Sequence, residues 1–379
     1  MRILFLNQYF PPDPAPTGIL FREVADEFLR LGHEVDFVDA GQDYRAAQGG
    51  GGRMKRELSA LWRMLREGRA RARADVVVSG SSPPCLGVVA DRIARKHGAA
   101  HIHWAMDMYP ELAVELGEIG RNSLVAKITG WAMRGVYRRA QAVVALDEDM
   151  AQRFRALGIE PVCIRPWVTQ QARVVADVVN EPEPPWTWIY SGNLGRAHEW
   201  ETLLAAQALV EQRGVDARLL FQGGGPSFQP ALAKTVALDL RHCEWKGYLP
   251  AEELPASLLR CEVLVATQLP AVRGLLWPSK LALMLTLPRP ILFVGPTDGA
   301  IAAELRSFPH AGVFAPGDAE GVARWIAGQR ASRTVIPPNS ISSAEQQRSK
   351  ALAAWRELLQ TAGRVPGQSH QNRGHSEAE

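Results

Sequence analysis

The chain has 379 residues, too many for one ordinary core and enough for two domains of roughly 150–200 residues each. A hydrophobic share of 46% excludes a disordered chain, and a net charge of only +3 gives no general pull toward nucleic acid. The four cysteines, Cys85, Cys163, Cys243 and Cys261, lack CxxC spacing, which argues against a zinc site or a disulfide framework and for a reducing cytosol.

The opening MRILFLNQYFPP is apolar but short, and it soon meets Pro11, Pro12, Pro14 and Pro16. It predicts a first strand over Ile3–Leu6 and not a signal peptide. The proline loop ends at Thr17–Gly18. A helix is expected over about Ile19–Leu31, closed by Gly32, and Glu34–Val38 starts the next strand. This βαβ opening predicts a parallel sheet with helices on both faces. After a flexible tract at Gly49–Gly52, Arg53–Arg73 holds eight Lys/Arg and two Glu, with Leu58, Leu61, Trp62 and Leu65 at helical spacing. It predicts a basic amphipathic helix, either a solvated face or one that meets an anionic membrane surface. No apolar run reaches about 18 residues, so no transmembrane helix is expected.

Asp75–Ser79, Ala100–Trp104 and Gln141–Leu146 are further strands, and Pro161–Arg165 closes this half. His101 and His103 alternate on the second of them, and Asp107 lies just past its end. Functional groups of open α/β sheets gather beyond the carboxyl ends of strands. A carboxylate or imidazole there is suited to orient or deprotonate an acceptor hydroxyl, although a histidine on a strand also fits the interior. Asp147-Glu148-Asp149 spells a D-x-D triplet. It follows AVVAL and opens a helix over about Asp149–Leu157 that stops at Gly158, so it predicts acids complementing a helix dipole and not a metal–diphosphate site. Asn180–Pro185 is the most linker-like stretch.

The alternation then restarts. Trp188–Ser191, Ala217–Gln222, Val263–Thr267 and Pro290–Val294 predict strands, the second ending in Gly223–Gly225; Glu199–Glu211 and Ser279–Leu285 predict helices. In WIYSGNLGRAHEWETLL the apolar run breaks at Gly192, turns through Asn193 and Gly195, and exposes Arg196 and His198 before a helix. The free N–H groups of a helix start favour an anion, and a guanidinium suits phosphate oxygens. In Trp277-Pro278-Ser279-Lys280, Ser279 is placed to cap a helix or Pro278 to fill its first turn, with Lys280 either solvated or turned to a diphosphate. Gly18 lacks the GxGxxG pattern and serves either as a turn or as a point of close approach for a phosphate.

NQYFPPDPAPTG, DMYPE at Asp107–Glu111, YSGNLGRAHEWETLL, KGYLPAEELPASLLRCEVLVAT and WPSKLALMLTLPRPILFVGPTDGAIA occur in the order seen in one family. Up to about residue 330 the chain resembles the family 4 glycosyltransferases, the bacterial exopolysaccharide and colanic-acid type in particular. The resemblance implies an α/β GT-B fold, with two Rossmann-like domains facing each other across a cleft. Residues 1–180 would bind the acceptor and 181–362 the nucleotide sugar, the last helix packing back on the first domain, with a disordered tail at 363–379. It implies a retaining, metal-independent hexosyltransferase. The donor would be a UDP- or GDP-sugar and the acceptor a saccharide on a lipid such as undecaprenyl diphosphate. The enzyme would be peripheral on the cytoplasmic face of the inner membrane, in exopolysaccharide or lipopolysaccharide biosynthesis. No cofactor beyond the nucleotide sugar, no metal and no nucleic acid are expected.

Residue by residue, the resemblance assigns Arg196 to the diphosphate, Ser279 and Lys280 to the phosphate-contacting PSK segment, and Gly18 to the loop near the donor phosphates. Gly192, Asn193 and Gly195 form the turn around them. Asp107 and His103 fall on the acceptor side, and with Arg196 they are the catalytic candidates. Two departures stand out. The family's paired glutamates, eight positions apart, are Leu275 and Leu283 here, which vacates the ribose role and leaves Asp298 as a substitute. The lysine expected soon after the arginine is also missing, with Glu201 nearby and His198 as the other candidate cation. A sugar-nucleotide 2-epimerase would share the fold but needs a carboxylate cluster that the sequence lacks. A non-catalytic donor-binding subunit is the reading that the missing glutamates favour.

Overall fold

The computed structural model describes residues 1–13, 15–41, 53–169, 182–308, 310–332, 336 and 343–363. The first half builds β1 (Arg2–Leu6), α1 (Pro16–Arg30), β2 (Glu34–Val38), α2 (Arg53–Ala70), β3 (Val76–Ser79), α3 (Leu86–His97), β4 (Ala100–Trp104), α4 (Glu111–Glu115), α5 (Leu124–Arg139), β5 (Ala142–Ala145), α6 (Glu148–Ala156) and β6 (Val162–Cys163). The strands form one parallel sheet in the order β2-β1-β3-β4-β5-β6. The second half adds β7 (Thr187–Asn193), α7 (Glu201–Gln212), β8 (Arg218–Gly224), α8 (Phe228–Ala237), β9 (Cys243–Lys246), α9 (Leu254–Leu259), β10 (Val263–Thr267), α10 (Lys280–Met284), β11 (Ile291–Val294), α11 (Ala300–Arg306), β12 (Ala311–Phe314), α12 (Ala319–Ser332) and α13 (Ala344–Ala362). Its sheet is also parallel, in the order β12-β11-β10-β7-β8-β9.

Helices cover both faces of each sheet, so the central strands read as unbroken apolar runs; β3 (VVVS) and β10 (VLVAT) are buried at every residue. The chain order reverses between β1 and β3 in one sheet and between β7 and β10 in the other. Such switch points leave a crevice beyond the strand ends, where α/β folds bind ligands.

The halves meet along 273–276. Asp107 forms an antiparallel bridge with Leu276, and the Met108 amide donates to the Leu275 carbonyl at 2.8 Å. Asp149 accepts from Arg273 at 2.8 and 2.9 Å and from the Ala300 amide at 2.7 Å. A side chain at Gly274 would strike the Asp149 carbonyl. The D-x-D triplet is therefore an anchor. Asp147 caps α6 by accepting from the Met150 amide, and Asp149 holds the second half.

α13 returns to the first half. Trp355 packs edge-on against Trp104 at 4.7 Å, and Trp104 stacks on Phe21 and Trp167. Arg348 and the Trp167 indole both reach the buried Glu23 carboxylate, at 3.0 and 2.8 Å. Ser343 caps the helix through the Gln346 amide.

Several boundaries shift. α1 begins at Pro16, before Ile19, because proline fits the first turn. The basic helix ends at Ala70 and not at Arg73. α7 begins at Glu201, since Glu199 turns back to accept from the Thr202 amide. Helices α3, α4, α5, α8, α9, α11 and α12 have no counterpart in the sequence reading. The expected flexible tract Gly49–Gly52, Asn180 and Glu181 of the expected linker, and all of the tail except Gly363 lie outside the described residues.

Trp355→Ala is expected to cost about 3–5 kcal/mol, the usual loss for removing a large buried aromatic. Urea denaturation followed by Trp fluorescence checks it; a loss below about 1 kcal/mol would mean that α13 is not held by this stack.

Candidate active site

The second switch point carries a lysine with a buried ammonium. Lys280 opens α10 and sends its Nζ back beneath the end of β7. Nζ sits 3.4 Å from the centre of the Tyr190 ring, and a Cβ on Gly192 would be 3.7 Å from it. The ammonium is buried and has no hydrogen-bond or ion-pair partner among the described residues. Burial holds its pKa well below the ordinary lysine value. The Tyr190 face offers quadrupole attraction, but a ring does not replace hydrogen bonds to a buried cation. The group is left wanting an anion.

Backbone glycines surround it. Gly192 (φ +121°) and Gly223 (φ +141°) end β7 and β8 side by side. A Cβ on Gly223 would lie 2.1 Å from the Gly192 carbonyl oxygen, so a larger residue is excluded. Tyr190 donates from its hydroxyl to the Asn193 carbonyl at 3.0 Å. Leu194 is buried and pins the turn, and His198 closes it by donating its amide to the Gly195 carbonyl. Arg196, at the tip, is exposed beside exposed Asn193. Ser279 is exposed at the cap position of α10, and its hydroxyl makes no cap bond.

His198 is not the substitute cation. Its Nδ1 lies 2.9 Å from the Thr267 carbonyl and must carry the proton there. Burial and the nearby Lys280 charge push its pKa down to about 3, so the ring is neutral. Its remaining nitrogen is an acceptor at neutral pH. Asp298, the expected substitute at the ribose, is 81% exposed and paired with Arg273 at 2.9 Å. Leu275 and Leu283 are buried and apolar, so no carboxylate replaces the paired glutamates at those positions.

On the facing side, Asp107 follows β4 beside the inter-domain bridge. Its amide donates to the Ser81 hydroxyl at 2.9 Å. The residue is only partly exposed, and burial raises its carboxyl to about 6. Among the described residues its carboxylate makes no hydrogen bond. His103 is placed elsewhere. It is fully buried, its Nδ1 is 3.0 Å from the Ser79 hydroxyl that His101 also contacts, and burial lowers its pKa to about 3. It is a neutral interior group and does not line the cleft. Gly18 packs under the loop after β1, where a Cβ would come 2.5 Å from the Tyr9 carbonyl oxygen. Sequence reasoning assigned no site role to Tyr190, Gly223 or Gln268; the last donates its side-chain amide to the Leu276 carbonyl at 3.1 Å and fixes the crossing. Only Gly223–Gly225 left a signal, as a glycine run at a strand end.

Two six-stranded parallel sheets with their switch points at a shared boundary make the GT-B arrangement. Residues 18–166 match the family profile described as the glycosyl transferase 4-like domain. A 236-residue stretch is 26% identical to the probable glycosyltransferase WbjE of Pseudomonas aeruginosa, covering 60% of this chain and 58% of that protein. Residues 18–166 thus carry a glycosyl transferase 4-like domain. Solved structures agree on the fold. Sucrose-phosphate synthase from Thermosynechococcus elongatus superposes with a TM-score of 0.66 at 14% identity, over 96% of this chain and 97% of that one. WaaG, a glycosyltransferase involved in lipopolysaccharide biosynthesis, gives 0.63 at 15% identity, over 97% and 100%. Anabaena HepE in complex with UDP-glucose gives 0.60 at 13% identity, over 95% and 99%.

Lys280→Met keeps the stem and removes the unpaired charge. Without ligand it is expected to stabilise the protein by about 1–4 kcal/mol in chemical denaturation. The lowered pKa means that the unfolded chain holds the proton more tightly. The gain should therefore be full at low pH and shrink as pH rises toward the ordinary lysine value. Destabilisation at neutral pH would show that Lys280 has a counter-charge.

Proposed function

We propose that this protein transfers a sugar from a UDP- or GDP-sugar to a lipid-linked saccharide, with retention of anomeric configuration, in surface-polysaccharide biosynthesis. One observation carries the reading: a buried ammonium without an anion, at the switch point of the second domain, beneath a glycine turn. A nucleotide diphosphate at Gly192–Arg196 would pair with Lys280 and Arg196 and take hydrogen bonds from the turn and from Ser279. In transfer the bond from the anomeric carbon to the diphosphate oxygen breaks and negative charge builds on the diphosphate. Fixed cations nearby lower that barrier, and metal-independent departure is part of the proposal. Across the cleft, the Asp107 carboxylate accepts a hydrogen bond from the acceptor hydroxyl and orients it.

Structural neighbours support the direction. HepE is described in complex with UDP and glucose, and WaaB as a lipopolysaccharide outer core galactosyltransferase. Because the aligned stretch spans 58% of WbjE, activity, donor and acceptor are proposals for this chain. The cytoplasmic membrane face belongs to the same proposal, with the basic α2 as one contact. Among the described residues no helix is long and apolar enough to cross a membrane. Leu275 and Leu283 favour one second reading, a donor-binding subunit without turnover.

Thermal shift against UDP, GDP, ADP, dTDP and their sugars tests the site. A ligand at about 100 times its dissociation constant adds about 2.7 kcal/mol. One nucleotide should raise Tm with or without EDTA, and Lys280→Met should lose that shift. Binding without turnover would favour the second reading, and no shift with any nucleotide would refute the site. Arg196→Ala is expected to reduce transfer at least about tenfold, roughly 1.4 kcal/mol; full turnover in a folded variant would remove Arg196 from the site. The rate should fall as pH drops through about 6, because the Asp107 carboxylate then takes up a proton. Asp107→Asn should lose about 100-fold and flatten that limb of the profile. An unchanged limb would assign the pH dependence to another group.

A further inference from the structure

Four large apolar side chains stand in solvent on one face of α5: Leu124 at 75% exposure, Val125, Ile128 at 62% and Trp131 at 74%. Their spacing puts them on a single helical stripe. The opposite face of α5 is spent on the core through Ala126, Met133, Val136 and Tyr137. The stripe is therefore surplus to the fold. A monomer gains nothing from placing two bulky side chains and a tryptophan together in water. From residue 119 to 146 there is no Asp or Glu, while Arg121, Lys127, Arg134, Arg138 and Arg139 are all present.

α5 is not isolated. It packs on α3, and α3 packs on α2. Right-handed crossovers place the three helices on the same face of the first sheet. α2 shows the same pattern: Ala60 and Met64 are buried, while Leu58 and Trp62 (63% exposed) face solvent beside Arg66, whose guanidinium lies over the Trp62 ring. The three helices carry thirteen Lys and Arg against three Asp and Glu. One of those acids, Asp91, is buried and neutralised by Arg95 and Arg139. Apolar side chains inside a cationic layer match the chemistry of an anionic bilayer, whose headgroups meet the cations while its acyl boundary takes the rings. α5 also touches the acceptor loop. Gly130 lies against Pro110, and the Tyr137 hydroxyl reaches the Tyr109 carbonyl, two residues from Asp107.

We infer that the α2–α3–α5 layer is a membrane-docking plane, with Leu124, Ile128 and Trp131 as its apolar anchor. It would seat the bilayer surface beside the loop that carries Asp107. This deepens the proposed membrane location and moves the anchor from α2 to α5.

The test is co-sedimentation of the full-length protein with phosphatidylcholine vesicles, with and without phosphatidylglycerol, at low and high salt. Wild type should partition at least about tenfold better onto the anionic vesicles, and less at high salt. I128S/W131S should lose about tenfold or more of that partitioning with its Tm and its nucleotide-induced shift unchanged. L58S/W62S should lose less. Three outcomes would overturn the inference: equal partitioning of folded I128S/W131S and wild type, no preference for anionic vesicles, or a wild-type dimer in sedimentation velocity that I128S/W131S converts to monomer. The last would assign the stripe to a second copy of the chain. Nucleotide binding is read separately by thermal shift, so loss of the docking plane and loss of the transferase reading give different results.

Discussion

A positive charge held in the interior without its counter-ion sets the terms for the second domain. Removing an ammonium from water is expensive, and proteins normally balance it with a carboxylate or a set of acceptors. Lys280 lies against an aromatic face and a glycine edge, and the histidine that feels its charge is neutral. His198 is kept neutral in part by Lys280 itself, while the Thr267 carbonyl fixes which nitrogen bears its proton. The tightly apposed glycines of β7 and β8 then make sense. They bring backbone close to the charge, with no Cβ between them. The fold carries an electrostatic debt that an anionic ligand would settle.

The boundary between the halves is built by another set of groups. Asp149 is held by Arg273 and the Ala300 amide, and the 107–276 bridge runs alongside. These contacts fix where Asp107 sits relative to Gly192 and Lys280. Asp298, which the sequence offers as a ribose ligand, is drawn into the same anchor through Arg273. A charged residue near a cleft can thus be structural, and its partner decides. The same holds for Glu23, whose buried carboxylate ties α1 to Trp167 and to Arg348 of the returning helix.

Much of the architecture was legible. The strands at Glu34–Val38, Ala100–Trp104 and Val263–Thr267 match the sequence reading at both ends, because buried parallel strands are short apolar runs bounded by polar or glycine punctuation. Asp147 was readable as a helix acid because capping is a local effect. α5 was not readable. Sequence spacing shows its apolar positions but not which of them the sheet covers and which stand in solvent. In α2 the stripe was visible, but not that Leu58 and Trp62 point outward while Ala60 and Met64 face the sheet.

The sequence by itself determined the alternation of strands and helices, the division into two βαβ halves, and the glycine turn with its cations. Those features depend on side-chain periodicity and local backbone preference, which act over a few residues. Only the tertiary structure decided which charged and polar groups are free. His103 and His198 became neutral through burial, Asp298 and Asp149 were taken by Arg273, and Lys280 was left alone beneath Gly192. Solvation and pairing depend on neighbours that lie tens to more than a hundred residues away in the chain. No local pattern encodes whether such a neighbour will bring a counter-charge.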